Sequence, residues 1–202
     1  MWIRHIPYHE ASDRLKRLYD RVSGPDHTVD NIMLAHSLRP HSMEGHMALY
    51  KSVLHHSGNA LPVWFLEAIG TMVSHLNRCG YCVEHHFTGL RRLLGDEERA
   101  TDMRRALEHG TFEPLFSAVE ASALHYAWTL TVAPHDSDVI RERFDAMRAQ
   151  GFDDGMILEV NQVVAYFGYA NRVVIGLGVT TDGDVLGLSP GNADDSGDWS
   201  HR

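Results

Sequence analysis

The sequence predicts an all-α protein. Apolar residues recur at spacings of three and four along most of the chain. No comparable run alternates apolar and polar residues, and the β-branched residues mostly sit inside the helical stripes. Proline falls at or near the ends of the periodic stretches.

Met1 to His9 is extended, because Pro7 stops a helix from running through it. Glu10 to Val22 is helical, with Leu15, Leu18 and Val22 on one side, and Ser23-Gly24-Pro25-Asp26 breaks it. Asn31 to Leu38 is a short helix closed by Arg39-Pro40, and His41 to His56 resumes the pattern through Met43, Met47, Tyr50 and Leu54. Pro62 opens the next helix, since proline is tolerated in a first turn. That helix runs to about Leu76 on a stripe of Val63, Leu66, Ile69, Val73 and Leu76. After a turn at Asn77-Arg78-Cys79-Gly80, another helix runs from about Tyr81 to Leu94 and stops at Gly95-Asp96.

Further helices are expected over Glu97 to Glu108, Glu113 to Thr131, from Asp136 or Ser137 to about Gln150, and Met156 to about Val174. The last of these is almost wholly apolar or small, which suits a central core helix or an interface helix. Beyond Gly178 the composition turns to Gly, Asp and Ser, so residues 179–202 read as an extended or disordered tail to a helical domain of residues 1–178. Val185, Leu186, Leu188 or Trp199 could dock that tail on a partner subunit.

With 202 residues the chain is long enough to bury a substantial core. A formal net charge of -9 argues against a nucleic-acid surface, which needs a basic cluster; Arg91-Arg92 and Arg104-Arg105 read as solvated helix faces. No apolar run approaches a membrane span, and the start has no apolar core of a secretory leader. Cytoplasm is the expected compartment. There, a pair of cysteines spaced CxxC is catalytic or metal-binding rather than a structural staple.

That pair, Cys79 and Cys82, lies in EAIGTMVSHLNRCGYCVEHH, from Glu67 to His86. A thiol acts as a nucleophile only as thiolate. Cys82 falls in the first turn of its helix, where unpaired N–H groups favour negative charge. His86 follows four residues later, one turn along the same face. Cys79, on the turn, is placed to close a disulfide with Cys82 after oxidation. Glu67 either favours the dipole of its own helix or returns to His86 if the two helices pack antiparallel.

Other readings of the same residues stay open. The pair could be inert and buried, or Cys79, Cys82 and His86 could ligate zinc with a further histidine, although no second CxxC or HxxxH supplies another local cluster. Tyr81 reads as a packing aromatic with its hydroxyl near the site. Adjacent residues diverge on a helix, so His85 reads as a surface or packing residue. His41 and His46 are five apart, which is not one helical face, and they are not a metal pair. The Met and aromatic residues at helical spacing, Tyr50 and Phe167 among them, read as core.

The pattern E-x11-C-x-x-C-x3-H in an all-α chain resembles the alkylhydroperoxidase D-like (AhpD-like) family of the carboxymuconolactone decarboxylase superfamily. LEAIGTMVSHLNRCGYCVEHH carries most of the likeness. NIMLAHSLRP, SALHYAWTLTVAP and VVAYFGYANRVVIGLGV are similar to the peroxidase-related branch, so the likeness spans roughly Asn31 to Val179.

The resemblance implies an AhpD-like helical bundle and a thiol-dependent peroxidase. Cys82 would be the peroxidatic cysteine, Cys79 the resolving one, and His86 with Glu67 the proton relay. It implies no bound cofactor or metal, an external dithiol or reductase protein as reductant, a hydroperoxide or other small molecule as substrate, and a homo-oligomer (dimer, trimer or hexamer). The chain departs from the pattern at Tyr81, where the best-studied members carry histidine. The alternatives are a non-redox decarboxylase or isomerase-like enzyme on the same fold, which would not need the cysteines, and a zinc-binding structural protein.

Overall fold

The structure is a computed structural model that describes residues 1–190, 194–195 and 198–201. Among these residues the regular elements are helices, with no strand. They are α1 (Asp13–Val22), α2 (Asn31–Ala35), α3 (Pro40–Tyr50), α4 (Val63–Leu76), α5 (Gly80–Leu94), α6 (Glu97–His109), α7 (Ala118–Val132), α8 (Ser137–Ala149) and α9 (Asp154–Leu177).

Helix α4 is the axis of the fold. Every residue from Phe65 to Ser74 is buried, as expected of a helix with no continuous polar face. It packs against α5, α6, α7 and α9, most extensively against α5. Phe65, Leu66, Ile69 and Met72 are fully enclosed, and each contributes about 1.5–3 kcal/mol relative to exposure. Gly70 lets α9 approach. A Cβ there would stand 2.2 Å from the ring of Phe167, so no larger residue fits without displacing that ring or α9.

A short turn joins α4 to α5. Arg78 takes a left-handed conformation (φ 60°), and the Cys79 N–H donates to Ser74 O at 2.9 Å. The two helices thus run back along each other, bringing α5 beside the middle of α4.

Beyond shifts of two or three residues at the start of α1 and at both ends of α9, three boundaries differ from the sequence reading. The helix expected to begin at Glu113 starts at Ala118. Pro114 disfavours helical backbone at Glu113, while Ser117 and Glu120 form a capping box that fixes the true start. The helix expected over Asn31–Leu38 ends at Ala35, in turns that lead to Pro40 at the first position of α3. The helix expected to run from His41 to His56 changes winding after Tyr50. Lys51–His55 form a π-helical turn, which rotates His55 inward.

The segment after Gly178, expected to be extended or disordered, contains no helix in its described residues, yet it packs on its own chain. Asn31 donates to the carbonyls of Thr180 and Asp182 at 2.9 Å each. Gly187 (φ 73°) lies so close to α5 that a Cβ would meet the Thr88 backbone at 2.8 Å, and Arg92 donates to its carbonyl. Lys51 Nζ donates to the carbonyls of Asp195 and Asp198. Trp199 is buried in the main core with the Arg21 guanidinium 3.6 Å above its ring. Docking through Trp199 is therefore made within the chain, because charged anchors on α1, the Lys51–His55 turn and α5 receive this strap. Among the described residues no helix is long and apolar enough to cross a membrane.

Candidate active site

The two cysteines sit where the α4–α5 turn ends. Cys79 is the N-cap of α5 and Cys82 its third residue; they are 1% and 3% exposed. Their sulfurs are 2.9 Å apart in hydrogen-bond contact and both thiols are free. One S–H between two sulfurs makes ionisation a property of the pair. The first thiolate formed is held below the ordinary thiol range by the other's S–H. The second proton is held well above it by that neighbouring sulfur and by burial.

The two cysteines differ in what favours them. Hydrogen bonding favours the charge on Cys79, whose sulfur is also approached by the Cys82 backbone N–H. Access favours Cys82, which lines a cavity that Cys79 does not. Access decides which sulfur meets a substrate, since a proton moves between touching sulfurs far more easily than a substrate moves through packed protein. Asn171 on α9 supports the pair through its side-chain amide. It is held in place by Asn77 Nδ2 donating to its Oδ1 at 2.9 Å and by its own Nδ2 donating to Ser74 Oγ at 3.1 Å.

His86, one turn beyond Cys82, lines the same cavity. Its Nδ1 is 2.7 Å from Glu67 Oε2. A carboxylate can only accept, so Nδ1 carries a proton and Nε2 is left to exchange one. Glu67 is 2% exposed. Burial alone would push its carboxyl up. The charge and hydrogen bond of His86, with help from His55 and His85, outweigh this and hold it below the usual carboxylate range. His55, turned inward by the π-helical turn, places Nε2 3.6 Å from Glu67 Oε1. Burial pushes its imidazole down to about 4.

Also in the lining, Tyr81 donates its hydroxyl to Asp184 Oδ2 at 2.7 Å and accepts from the Ile32 N–H at 3.2 Å. Burial first, then Asp184 and Asp30, keep this phenol protonated well above its ordinary range. His85 packs its ring on Tyr81 at 4.4 Å and meets Asp184 Oδ2 at 3.2 Å. Tyr81 and His85 therefore anchor the strap against α5.

The cavity has a volume of about 60 Å³. Besides Cys82, His86 and Glu67 it is lined by Asp30, His46, Tyr50, Tyr166 and His201. Burial pushes the Asp30 carboxyl up to about 6. Of the four expected site residues, Glu67, Cys82 and His86 line the cavity, and Cys79 touches Cys82 without lining it. Asp30, His46, His55, Asn171, Asp184 and His201 were not foreseen; Tyr50 was expected only as core, and His85 only as a surface or packing residue. Among the described residues no group of three or more His, Cys, Asp or Glu side chains is arranged to hold a metal ion.

No protein-family model and no curated protein matches this chain. Solved structures do. An uncharacterised peroxidase-related protein with an alkylhydroperoxidase AhpD core, from Ralstonia eutropha JMP134, superposes with a TM-score of 0.71 at 22% identity, over 89% of this chain and 92% of that one. A peroxidase-related protein from Silicibacter sp. TM1040 gives 0.74 at 21% identity, over 87% and 88%. The debrominase Bmp8, solved as a variant in complex with 2,3,4-tribromopyrrole, gives 0.64 at 18% identity, over 83% and 82%. At these identities the likeness establishes the fold.

Proposed function

We propose that this chain, which has the AhpD-like all-α fold, is a thiol-dependent peroxidase that reduces hydroperoxides through a Cys79–Cys82 dithiol–disulfide cycle. The observation that carries the reading is the contact of the two sulfurs at 2.9 Å at the start of α5, with Cys82 sharing a cavity with the His86–Glu67 pair.

In this cycle His86 Nε2 takes the thiol proton, and Glu67 stabilises the imidazolium. The Cys82 thiolate attacks the outer oxygen of ROOH. The S–O bond forms as the O–O bond breaks, the sulfur is oxidised to sulfenic acid, and the peroxide is reduced. The departing RO⁻ takes the proton held by His86 and leaves as ROH. Cys79 then attacks the Cys82 sulfur; hydroxide leaves with the Cys79 proton as water, and the disulfide closes. An external dithiol, free or on a reductase protein, returns two electrons and two protons. Tyr81, a phenol held protonated, cannot do the work of a histidine between the cysteines; it holds Asp184 instead.

We further propose that the chain works in the cytoplasm as a homo-oligomer. Leu158, Tyr169 and Ile175, exposed on α9, supply apolar surface for subunit contact. The test is hydroperoxide consumption driven by a dithiol: the wild-type chain turns over and Cys82→Ser does not. If no hydroperoxide is consumed with any dithiol, the reading fails.

A second reading keeps the dithiol and changes the oxidant. It is favoured by the aromatic wall of Tyr50 and Tyr166 and by the Bmp8 likeness. A brominated heteroaromatic would exchange bromide for hydrogen while the two thiols close to a disulfide and release HBr. Bromide release with a bromopyrrole, in the absence of peroxide turnover, selects it.

A further inference from the structure

Two nitrogen atoms beside the cavity have no partner. His46 Nδ1 and His201 Nδ1 are buried, and no hydrogen-bond partner meets either among the described residues. Both residues line the cavity that holds Cys82 and His86, and they are 4% and 8% exposed. They arrive from distant parts of the chain. His46 is on α3, and its ring is wedged among His36, Tyr166 and Tyr169 with centroids at 4.9, 5.9 and 5.8 Å. His201 ends the strap, where it bridges to Pro190 and stacks on Tyr50 at 5.9 Å. A third unpartnered nitrogen, His55 Nε2, faces Glu67 and does not line the cavity.

A buried polar atom left unmet costs about 1–3 kcal/mol. Two such atoms, on two residues that line one small cavity, are a built demand for a polar occupant. The cavity, about 60 Å³, has room for one small molecule or a few waters. Burial holds His46 at about 3 and His201 at about 4, so both rings are neutral at pH 7. A neutral imidazole nitrogen either donates or accepts. A hydroperoxide has one O–H and two oxygens with lone pairs, so it can satisfy one ring as donor and the other as acceptor.

The charges around the cavity narrow the choice. Glu67 and Asp30 line it. Any positive charge on His86 is matched by Glu67, and any on His85 by Asp184. Among the described lining residues an entering anion would face the Asp30 carboxylate and the Glu67–His86 pair, with no unmatched cation to offset them.

We propose that His46 and His201 are substrate-binding residues of the dithiol cavity, and that the cavity takes small uncharged hydroperoxides and rejects anionic ones. The substrate class rests on the peroxidase reading; the charge preference is a property of the cavity alone.

The experiment measures oxidation of the single thiol in Cys79→Ser by hydrogen peroxide, which is uncharged, and by peroxymonosulfate, an anion. Each rate is divided by that of the same chain unfolded in urea. Folding should favour hydrogen peroxide over peroxymonosulfate by about tenfold or more, equivalent to about 1.4 kcal/mol. Asp30→Asn should shrink that preference. His46→Phe and His201→Phe should each slow oxidation by hydrogen peroxide about tenfold, and His46→Gln, which keeps a donor and an acceptor, should recover most of the loss. Should His46→Phe fail to fold, His201→Phe carries the test.

Equal normalised rates for the two oxidants, no oxidation by either, or Phe variants as fast as the parent would each overturn the proposal. Failure of the peroxidase reading is separate: the wild-type chain would then turn over no hydroperoxide with any dithiol, while the oxidant preference would still be readable.

Discussion

Glu67 is a carboxylate enclosed in the middle of a helical core, and histidines answer its charge. Removing one partner of such a pair leaves the other uncompensated, which costs about 3–5 kcal/mol. Glu67→Gln keeps the shape and removes the charge, so His86 loses the group that stabilises its imidazolium. Peroxide turnover should fall about 100-fold, within the range for positioned acid–base groups, while the two thiols remain titratable. Stopped-flow oxidation together with a thiol count checks both parts.

Cys79, Cys82 and His86 were legible because one turn and one helix place them, so spacing in the sequence becomes spacing in the fold. For Glu67, spacing leaves both its own helix dipole and His86 open, and only the resemblance chooses the pairing. Asp184 and His201 were not legible. They reach the site from the strap, 103 residues beyond Tyr81 in the case of Asp184, and no periodicity encodes that path. Spacing puts His46 and His41 on different faces and so gives His46 no partner in the sequence. Its neighbours turn out to be His36, Tyr166 and Tyr169, from α9 and the α2–α3 turns.

At the scale of elements, the site depends on the close approach of α4 and α9. Gly70 permits it, and Asn171 uses it to reach the cysteine pair from α9. Gly70→Ala puts a methyl into the Phe167 ring, an overpacking that should cost about 1–3 kcal/mol in denaturant unfolding. Because Phe167 also packs edge-on against His86 at 4.6 Å, peroxide turnover should fall as well. Unchanged stability in that variant would mean that α9 slides freely, contrary to the packing seen. The helices themselves were readable from apolar spacing. The π-helical turn at Lys51–His55 was not, since its residues continue the α pattern and only their tertiary partners select the wider winding.

At the scale of the molecule, buried histidines make stability depend on pH. His46 is pushed down to about 3, and His55 and His201 to about 4, by burial. Unfolded, each titrates near 6.5, so between pH 6.5 and 4 the unfolded chain binds more protons than the folded one. Stability therefore rises with pH across that window and is lost as the solution is acidified. Each histidine contributes up to about 1.4 kcal/mol per pH unit there. Asp30, raised to about 6, acts in the opposite sense over part of the range, but it is one group against these three histidines and His36, which burial also lowers. Glu67, held low, contributes stability above its unfolded value that is lost only at lower pH. Melting temperature should fall steeply from pH 6.5 to 4, and His46→Phe should flatten the slope. A flat profile in the wild-type protein would show that these histidines are solvated.

The central claim is that Cys79 and Cys82 form one redox couple with Cys82 as the attacking sulfur. It is tested most directly by adding one equivalent of hydrogen peroxide to the reduced protein and following thiols and mass together. The expected result is loss of both thiols with a Cys79–Cys82 disulfide in the wild-type chain, and a sulfenic acid trapped on Cys82 in Cys79→Ser. Retention of both thiols, or oxidation that begins on Cys79 in Cys82→Ser at the wild-type rate, would contradict it.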